Sequence, residues 1–288
     1  MCALIGALLA ATLLAAEASL PDARGLLDRL LANQDKVDEL REGYTYKDHE
    51  REYSLKRDKG EIRAKLEHDS LWQVYPSRKL LVRRRLEKDG RALDAEAARK
   101  EDERIAKLYR KDAERQRKRE QQGKADEDDD NVKLQDLLRA STLTTIGRES
   151  VDGRSCLIVE IRGNPDYKAH SQAEKLAQHL EGRLWVDEED LQVARAEARL
   201  SKLKIAGGLV ASLKEVRLVF EQKRVNDEIW LPTRAEAEYQ GRLFLLKGFN
   251  GRSTDEFSDY EKFSTGVEVS YGDPLPPTPP NSAESSAR

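Results

Sequence analysis

A β-hairpin is predicted by the segment Gly182-Arg-Leu-Trp-Val-Asp-Glu-Glu-Asp-Leu-Gln-Val-Ala-Arg-Ala-Glu-Ala-Arg-Leu200. The first strand leads to Asp187, the charged residues up to Asp190 form the turn, and the second strand covers residues 192–200. Along the second strand small and aliphatic residues alternate with charged ones: Ala194, Ala196, Ala198 and Leu200 against Arg195, Glu197 and Arg199. A period of two indicates one packed and one solvated face, as in an antiparallel sheet with one covered side.

Further strands of this kind are predicted on both sides of the hairpin. They cover residues 44–57, 61–73, 79–88, 142–151, 154–162, 212–225, 228–232, 233–240, 243–249 and 254–263. The dipeptides Asp89-Gly90 and Asp152-Gly153 are typical of tight hairpin turns, and Asn226-Asp227 marks another turn. The sequence therefore predicts about ten or eleven antiparallel strands.

Helices are predicted where the apolar period becomes that of a helix. In residues 24–41 one side of the helix is aliphatic, and Gly43 is suited to end it. The aliphatic residues are Leu26, Leu27, Leu30, Leu31, Val37 and Leu40. A short helix is expected over residues 131–139. Another opens with the capping-box pattern Ser171-Gln-Ala-Glu174 and is expected to end at Gly182, directly before the hairpin.

Residues 91–130 form a block dominated by charged side chains. Glu96–Lys100, Glu103–Lys107 and Glu114–Lys118 are spaced to support a helix by about 0.2–0.5 kcal/mol per pair. The only large aliphatic residues between positions 95 and 122 are Ile105 and Leu108, so the helix is expected to project into solvent. We interpret the block as an insertion between two strands of one sheet. Its basic part, residues 110–120, either contacts anionic lipid headgroups or an acidic partner, or is an ordinary solvated helix surface.

Composition limits the class of protein. The chain has 288 residues, 36% of them charged, and a formal net charge of −3, which does not indicate nucleic-acid binding. Its two cysteines, Cys2 and Cys156, exclude a disulfide framework, and Cys156 is expected to be a buried structural thiol.

The two ends of the chain differ from the rest. An uncharged apolar run over residues 2–16 is followed by Ala16-Glu17-Ala18, which predicts a secretory signal peptide over residues 1–18. A buried N-terminal helix or a short membrane anchor is the alternative, although the run is shorter than the roughly 20 residues of a membrane span. Residues 271–288 are rich in Pro and Ser and are expected to be disordered. The mature protein is thus expected to be exported, without a transmembrane helix, and built as one domain over residues 19–270.

These elements predict an α+β fold, mostly antiparallel β: a large curved sheet with helices on its concave side and a charged helical insertion at 91–130. Several short patterns carry a resemblance: Gly182-Arg-Leu-Trp-Val-Asp187 with its return strand, Trp230-Leu-Pro232, and Phe257-Ser-Asp-Tyr-Glu-Lys-Phe263. Together with the exported start and the helix before the strand meander, they resemble the LolA/LolB-like superfamily of outer-membrane lipoprotein-sorting proteins. The resemblance covers residues 26–263, with 91–130 as an interruption.

The resemblance implies an unclosed β-barrel whose greasy concave face is covered by helices. Some members of the superfamily carry lipoprotein acyl chains through the periplasm, and others are envelope-stress sensors that bind lipids or lipoproteins. The first functional hypothesis is therefore a periplasmic lipid- or lipoprotein-binding carrier. The alternative is a non-enzymatic sensing or scaffolding module that acts through protein contacts, with the charged helix as its docking arm. An envelope hydrolase is a third, remote option.

The concave side is predicted to be rich in Ala and poor in Phe, so a covering helix can approach closely and leaves less room for lipid. A hollow apolar concavity favours the carrier, and a filled one favours the module. No catalytic, cofactor or metal-binding motif is found, and no ligand-binding residue is predicted.

Individual residues leave alternatives open. His49, His68, His170 and His179 are scattered without metal-ligand spacing, which favours surface histidines. The residues from Asp187 to Asp190 either bind calcium or form a charged turn, and residues 126–130 lack a calcium-loop pattern. The tryptophans either line a cavity or pack in the core; they are Trp72, Trp185 and Trp230.

Overall fold

The computed structural model describes residues 19–58, 61–75, 80–121, 134–205, 211–243 and 247–262. These ranges contain four helices and one sheet of eleven strands. The helices are α1 (Ala23–Arg41), α2 (Ala95–Gln121), α3 (Leu134–Arg139) and α4 (Gln172–Ala177). The strands are β1 (Tyr44–Asp58), β2 (Glu61–Tyr75), β3 (Val82–Lys88), β4 (Arg91–Ala92), β5 (Ser141–Val151), β6 (Arg154–Gly163), β7 (Leu180–Asp187), β8 (Val193–Ile205), β9 (Ala211–Val225), β10 (Ile229–Leu243) and β11 (Lys247–Lys262).

The strands lie in the order β4-β3-β2-β1-β11-β10-β9-β8-β7-β6-β5. Every pair is antiparallel, and β1 pairs with β11 in the middle of the sheet. The sheet ends in two edges, at β4 and at β5, and does not close into a barrel. The predicted fold class, a mostly antiparallel and unclosed sheet with covering helices, is confirmed.

The tight turns follow from their sequences. Both residues of Asp89-Gly90, Asp152-Gly153 and Asn226-Asp227 have positive φ, between 49° and 80°. A two-residue hairpin turn matches the twist of its strands when both of its residues have positive φ. Asn, Asp and Gly tolerate this backbone conformation best. The three predicted turns are confirmed.

One row of directly paired residues shows how the sheet changes across its width. It runs Thr145, Val159, Leu184, Ala196, Phe220, Ala235, Asp255, Glu50, Ser70 and Lys88. Paired residues of antiparallel strands share a face, so this row lies on one face, which we name the covered face. We call its part on β5–β10 the apolar half and its part on β11 and β1–β3 the polar half.

Helix α1 packs on the apolar half. Leu26, Leu27 and Leu30 are 1–4% exposed and form the main core with side chains of β6 and β7. Those strand residues are Leu157, Val159, Ile161, Leu180, Leu184 and Val186. Ala196 and Ala198 of the central hairpin pack against the same core.

Helix α2 lies against β3 at the polar half, and its docking differs from the prediction of a helix that projects freely. Glu101 is 8% exposed and accepts a hydrogen bond from the backbone N–H of Arg85 at 2.8 Å. Arg104 pairs with Glu101 at 2.7 Å and donates to the carbonyl oxygen of Arg83. Because β4 pairs only with Glu87 and Lys88, these side chains satisfy backbone groups on the rest of the β3 edge.

The strands on either side of the insertion belong to one sheet. Residues 91–130 are expected from the sequence to lie between two strands of one sheet, and β4 and β5 are such strands, at its opposite edges. Strand order depends on which distant segments pair, and the local sequence of the insertion carries no signal for that. The chain between β4 and β5 therefore links one edge of the sheet to the other.

Three smaller expectations are wrong. Helix α4 ends at Ala177, and Gly182 lies inside β7 opposite Ala198, because strand pairing takes over from Leu180. Ala194 does not share a face with Ala196: a register shift in the β7–β8 pair places it beside Trp185 instead. The strand expected over residues 243–249 is divided between β10 and β11, because Leu243 and Lys247 pair with each other in antiparallel register; residues 244–246 lie outside the described residues.

Some predictions concern segments outside the described residues. They are the signal peptide at 1–18, the acidic residues 126–130 and the tail at 271–288. Within the described ranges, no helix is both long and apolar enough to cross a membrane.

Candidate functional site: a cavity between helix α1 and the sheet

A cavity of about 480 Å³ that is open to solvent lies between the first turns of α1, strands β5 and β6 and the β7–β8 turn. We name it the α1 cavity. Its apolar wall is formed by Pro21, Leu26, Leu157 and Leu191. Its volume falls in the range of about 300–1,000 Å³ that is usual for small-molecule sites.

The start of α1 is fixed by a helix cap. The Asp22 side chain accepts a hydrogen bond from the backbone N–H of Gly25 at 2.6 Å. Arg24 then ties α1 to the neighbouring segment by donating to the carbonyl oxygens of Leu138 and Ser141 at 3.1 and 3.2 Å. Gly25 lines the cavity, and a Cβ added to it would have only a carboxylate oxygen of Asp22 within 4 Å, at 3.3 Å, so a longer side chain there would extend into the cavity. The missing side chain of Gly25 thus helps to leave the cavity open.

The β7–β8 turn forms another wall and is held by Asp187. This carboxylate is 1% exposed and pairs with Arg154 at 2.6 and 2.8 Å. It also accepts the backbone N–H groups of Glu189 and Asp190 at 3.1 and 2.7 Å. Burial alone would raise the pKa of Asp187, but the Arg154 and backbone hydrogen bonds outweigh it and hold the pKa below its usual value. The predicted charged turn is therefore an ordered ion-pair hub.

Leu191 leaves this turn with an unfavourable backbone conformation. Its φ is 51°, in the left-handed region that costs a residue with a Cβ about 1–2 kcal/mol. The conformation places the Leu191 side chain against the main core and in the wall of the α1 cavity. Packing of the turn by Asp187 and Arg154 holds this strained residue in place.

Charged groups surround the mouth of the cavity. Arg148 pairs with Glu188 at 3.0 Å, and Glu188 also accepts from the Ser155 hydroxyl at 2.6 Å. The Ser155 and Arg148 hydrogen bonds hold the pKa of Glu188 below its usual value. Arg29 lies one helical turn after Gly25 and Leu26, is exposed, and also lines the cavity. An apolar interior with a charged mouth suits a molecule that is itself part apolar and part charged.

The polar half carries a different arrangement, centred on Trp72. Its indole N–H donates to Glu50 at 2.8 Å, and the guanidinium groups of Arg83 and Arg85 lie 4.7 and 4.3 Å from the centre of the ring system. Asp48 is 3% exposed, pairs with Arg83 at 2.5 Å, and has one carboxylate oxygen without a hydrogen-bond partner among the described residues. Burial raises the pKa of Asp48 to about 7, although Arg83 acts in the opposite direction. This half is filled by ion pairs and leaves a polar cavity of about 260 Å³ at its margin.

A more voluminous hollow of about 870 Å³ lies at the ends of β6–β9. Charged side chains line much of it, including Glu160, Arg162, Arg183, Glu197 and Arg217. Some of these charges pair with one another, as Arg162 does with Glu160 at 3.0 Å. The hollow therefore offers a less apolar lining for a ligand than the α1 cavity does.

The residues singled out in the sequence are distributed as follows. The three tryptophans are 5–9% exposed, and each indole N–H donates to a carboxylate. None of them lines the α1 cavity, but Trp230 lines a separate cavity of about 170 Å³ beside the second half of α1. Cys156 is fully buried, and burial raises the pKa of its thiol to about 11, as expected of a structural cysteine.

The histidines are not brought together; His49 is half-buried and bonded to Asp69 at 2.7 Å, while the others are exposed. Among the described residues, no group of three or more His, Cys, Asp or Glu is placed to hold a metal ion.

Sequence reasoning missed the residues that form the site. The sequence identifies Leu157 and Leu26 only as strand and helix residues, and it leaves Leu191 between the predicted turn and the strand that follows. Arg154 and Asp187 are 33 positions apart, and only the β6–β7 pairing brings them together. A usable signal was present in the turn itself, since an apolar Leu191 among four charged residues and Gln192 indicates an inward-facing side chain.

Similarity to known proteins is limited to structure. No family model and no curated protein matches the chain. A domain ascribed to outer membrane lipoprotein sorting from Vibrio parahaemolyticus is 13% identical, with 86% of this chain and 94% of that chain covered and a TM-score of 0.30. A DUF1329 family protein from Desulfovibrio piger is 15% identical, with 88% and 97% covered and a TM-score of 0.30. A LolA superfamily protein from Nitrosomonas europaea is 13% identical, with 85% and 94% covered and a TM-score of 0.25.

The sequence resembles LolA/LolB-like proteins, and two of these structures are described as a lipoprotein-sorting domain and a LolA superfamily protein. Both align with most of this chain, at low TM-scores. Such likenesses do not define a function, which has to be inferred from the chain's own geometry.

Proposed function

We propose that this protein is a non-enzymatic, exported lipid-binding protein that holds an acyl chain in the α1 cavity. The observation that carries the proposal is the cavity itself, about 480 Å³ with Leu26, Leu157 and Leu191 in its wall. Export through a signal peptide at 1–18 and a periplasmic location belong to the same proposal, as does a role in lipoprotein sorting.

The energetics of burial fit such a ligand. Each CH₂ group moved out of water contributes about 0.8 kcal/mol, so a chain of about sixteen carbons offers on the order of 10 kcal/mol before the costs of binding. Binding of this kind requires an apolar space and no catalytic group. The core under the middle of α1 is filled by Leu27 and Leu30, so the ligand would occupy the space at the start of the helix rather than the whole concave side.

Native mass spectrometry of protein expressed from Ser19 and purified from bacterial cells tests the proposal. We expect a mass increment of one acyl species, and uptake of a fluorescent fatty acid by the delipidated protein. Gly25→Leu fills the cavity and is expected to weaken uptake at least about tenfold, whereas Gly25→Ala has a smaller effect. The control is Leu218→Gln, at a residue of the covered face that is 39% exposed and outside the cavity wall.

The proposal is abandoned if neither copurified acyl species nor fatty-acid uptake is detected. It also fails if Gly25→Leu and Leu218→Gln bind the probe as well as the wild type does. Circular dichroism of each variant establishes that a change in uptake does not come from loss of folding.

A second function is favoured by the outer part of α2. Past its docking at Glu101 and Arg104, the helix is largely exposed and carries Arg110, Lys111, Arg115, Arg117 and Lys118. A docking arm for an acidic protein partner is consistent with this surface. A photoactivatable amino acid at position 115, compared with one at exposed position 99, tests it in cells of the native host. A single partner captured only from position 115, and lost with Arg117→Glu, supports the arm; identical patterns from both positions contradict it.

A further inference from the structure

We infer that the ligand of the α1 cavity is an anionic amphiphile whose charged head group is bound by Arg29. This inference rests on the proposed function and adds the chemical class of the ligand. It follows from which charged groups at the cavity mouth are already engaged and which one is left.

Four charged side chains line the cavity: Asp22, Arg29, Arg148 and Glu188. Three of them have partners. Asp22 caps α1 through the Gly25 N–H at 2.6 Å, and Arg148 and Glu188 pair with each other at 3.0 Å. Glu188 is further engaged by the hydroxyl of Ser155. Both acidic groups at the mouth are therefore engaged: Glu188 pairs with a guanidinium group, and Asp22 lies at the N-terminus of α1, where the helix dipole favours a negative charge.

Arg29 is the exception. It makes no hydrogen bond or ion pair within the described part of the chain, although ion pairs are frequent elsewhere on the surface. Its position follows from helix geometry: residues 25, 26 and 29 share a side of α1, so the Arg29 side chain lies over the same space that Leu26 lines and Gly25 leaves open. A guanidinium group beside an apolar cavity offers several donors to a carboxylate or a phosphate.

A cationic head group fits this mouth poorly. It would face the unpaired Arg29, and the acidic groups nearby are already engaged by Arg148 and by the N-terminus of α1. The positive charge of a zwitterionic head group meets the same arrangement. An anionic head group needs no rearrangement, because its counter-charge is unoccupied and next to the apolar wall.

Direct titration of the delipidated full chain with three probes of equal acyl length tests the inference. The probes are palmitic acid, palmitoyl lysophosphatidylglycerol and palmitoyl lysophosphatidylcholine, each below its micellar concentration. We expect the two anionic probes to bind about tenfold more tightly than the zwitterionic one, as one charge-assisted interaction allows. Tighter binding of palmitic acid identifies a carboxylate as the favoured head group, and tighter binding of the lysophosphatidylglycerol identifies a phosphate.

Variants of Arg29 distinguish the contribution of the head group to affinity from that of the acyl chain. Arg29→Gln should remove most of the preference and leave the affinity for the zwitterionic probe unchanged, and Arg29→Lys should retain part of it. Arg99→Gln, which removes the same charge from exposed α2, should keep the full preference. Equal affinities for all probes in the wild type, or a preference that survives Arg29→Gln, overturns the inference while acyl binding stands. If none of the probes binds, the proposed function fails together with it.

Discussion

The two halves of the covered face are made by the same kind of strand and yet are held together in different ways. On the apolar half, α1 contributes Leu26, Leu27 and Leu30 to a core in which Val159 and Val186 are fully buried. On the polar half, α2 docks through Glu101 and Arg104, and Trp72 is surrounded by guanidinium groups. The change takes place between adjacent strands, where Ala235 of β10 faces Asp255 of β11.

The two halves show that one face of a single sheet can exclude water in two ways. On the apolar half water is excluded by apolar packing, and a few strands away, on the polar half, it is excluded by paired charges. Apolar burial is non-directional, so it tolerates gaps such as the α1 cavity. A network of buried charges requires a partner for each group and leaves less freedom. The apolar half is therefore the place for a variable apolar ligand, and the polar half is the place for fixed structure.

Removing a core leucine from α1 is expected to have the largest effect on stability. Leu30 is 2% exposed, and Leu30→Ala should lower the free energy of unfolding by about 2–5 kcal/mol through lost burial and a residual cavity. Leu40→Ala is the matched control on the same helix, because Leu40 is 43% exposed and should cost less than about 1 kcal/mol. Urea unfolding measures both. Equal losses would show that α1 does not depend on its buried face.

The buried carboxylate Asp48 on the polar half should make the free energy of unfolding depend on pH. The pKa of Asp48 is raised from 3.8 to about 7, so the folded state keeps a proton that the unfolded state has released. Stability should then fall by on the order of 1–3 kcal/mol as the pH rises from about 4 to about 7, less than three full pKa units would give because solvent screens part of the charge, and it should stay constant above pH 7. Asp187 and Glu188 have lowered pKa values, so their contribution to stability has the opposite sign: it is lost as the pH falls below about 4.5.

The variant Asp48→Asn isolates this contribution, because an amide cannot ionise. The stability of Asp48→Asn minus that of the wild type should be small near pH 4 and grow up to about pH 7. The groups that face Asp48 are Arg83 on β3, Glu50 on β1 and Asp255 on β11, and burial also raises the pKa of Asp255. A difference that does not vary between pH 4 and 7 contradicts the assignment of a protonated, buried Asp48.

The docking of α2 should depend on its buried carboxylate, Glu101. Glu101→Ala leaves the Arg85 N–H and Arg104 without their partner, which should cost about 1–3 kcal/mol. Glu103→Ala, two positions along and exposed, is the matched control and should change stability by less than about 0.5 kcal/mol. Hydrogen exchange at the β3 edge is a second readout. Unchanged exchange of the Arg85 amide in Glu101→Ala would show that the helix does not protect this edge.

The smallest effect is expected on the opposite face of β8 and β9. Glu215 lies near Arg199 at 3.7 Å and pairs with Arg217, and both arginines are more than half exposed. Glu215→Gln should cost less than about 1 kcal/mol, and the difference should vanish in about 1 M salt, where charges at these distances are screened. A larger or salt-independent loss would indicate that this charge is part of the packed structure.

Local sequence patterns account for much of the fold. Alternation in residues 192–200, the Asp-Gly turns and the amphipathic face of α1 each determine an element by interactions within a few residues. Pairing of β1 with β11 and the position of β4 and β5 at opposite edges could not be predicted, because they depend on contacts between distant segments. The burial of Glu101 was missed for the same reason: its partners, Arg85 and Arg104, decide whether a carboxylate can leave water.

The candidate site was less predictable than the fold. A cavity is a gap between packed elements, and here it depends on where α1 begins, on Gly25 having no side chain and on Leu191 adopting a positive φ. None of these follows from a motif. Sequence patterns predict only that an Ala-lined face allows a helix to lie close, and they carry no information about the space beside the first turns of α1.

The most direct test of acyl binding on the apolar half is to locate a bound acyl chain. A palmitic acid analogue with a diazirine near the end of its chain is irradiated with the delipidated protein, and labelled peptides are identified by mass spectrometry. We predict labelling of the first turns of α1 and of β6, around Leu26 and Leu157, and its loss in Gly25→Leu. Labelling concentrated on β1–β3 or on α2, or label at Leu26 and Leu157 that persists unchanged in Gly25→Leu, would contradict the assignment of the ligand to the apolar half.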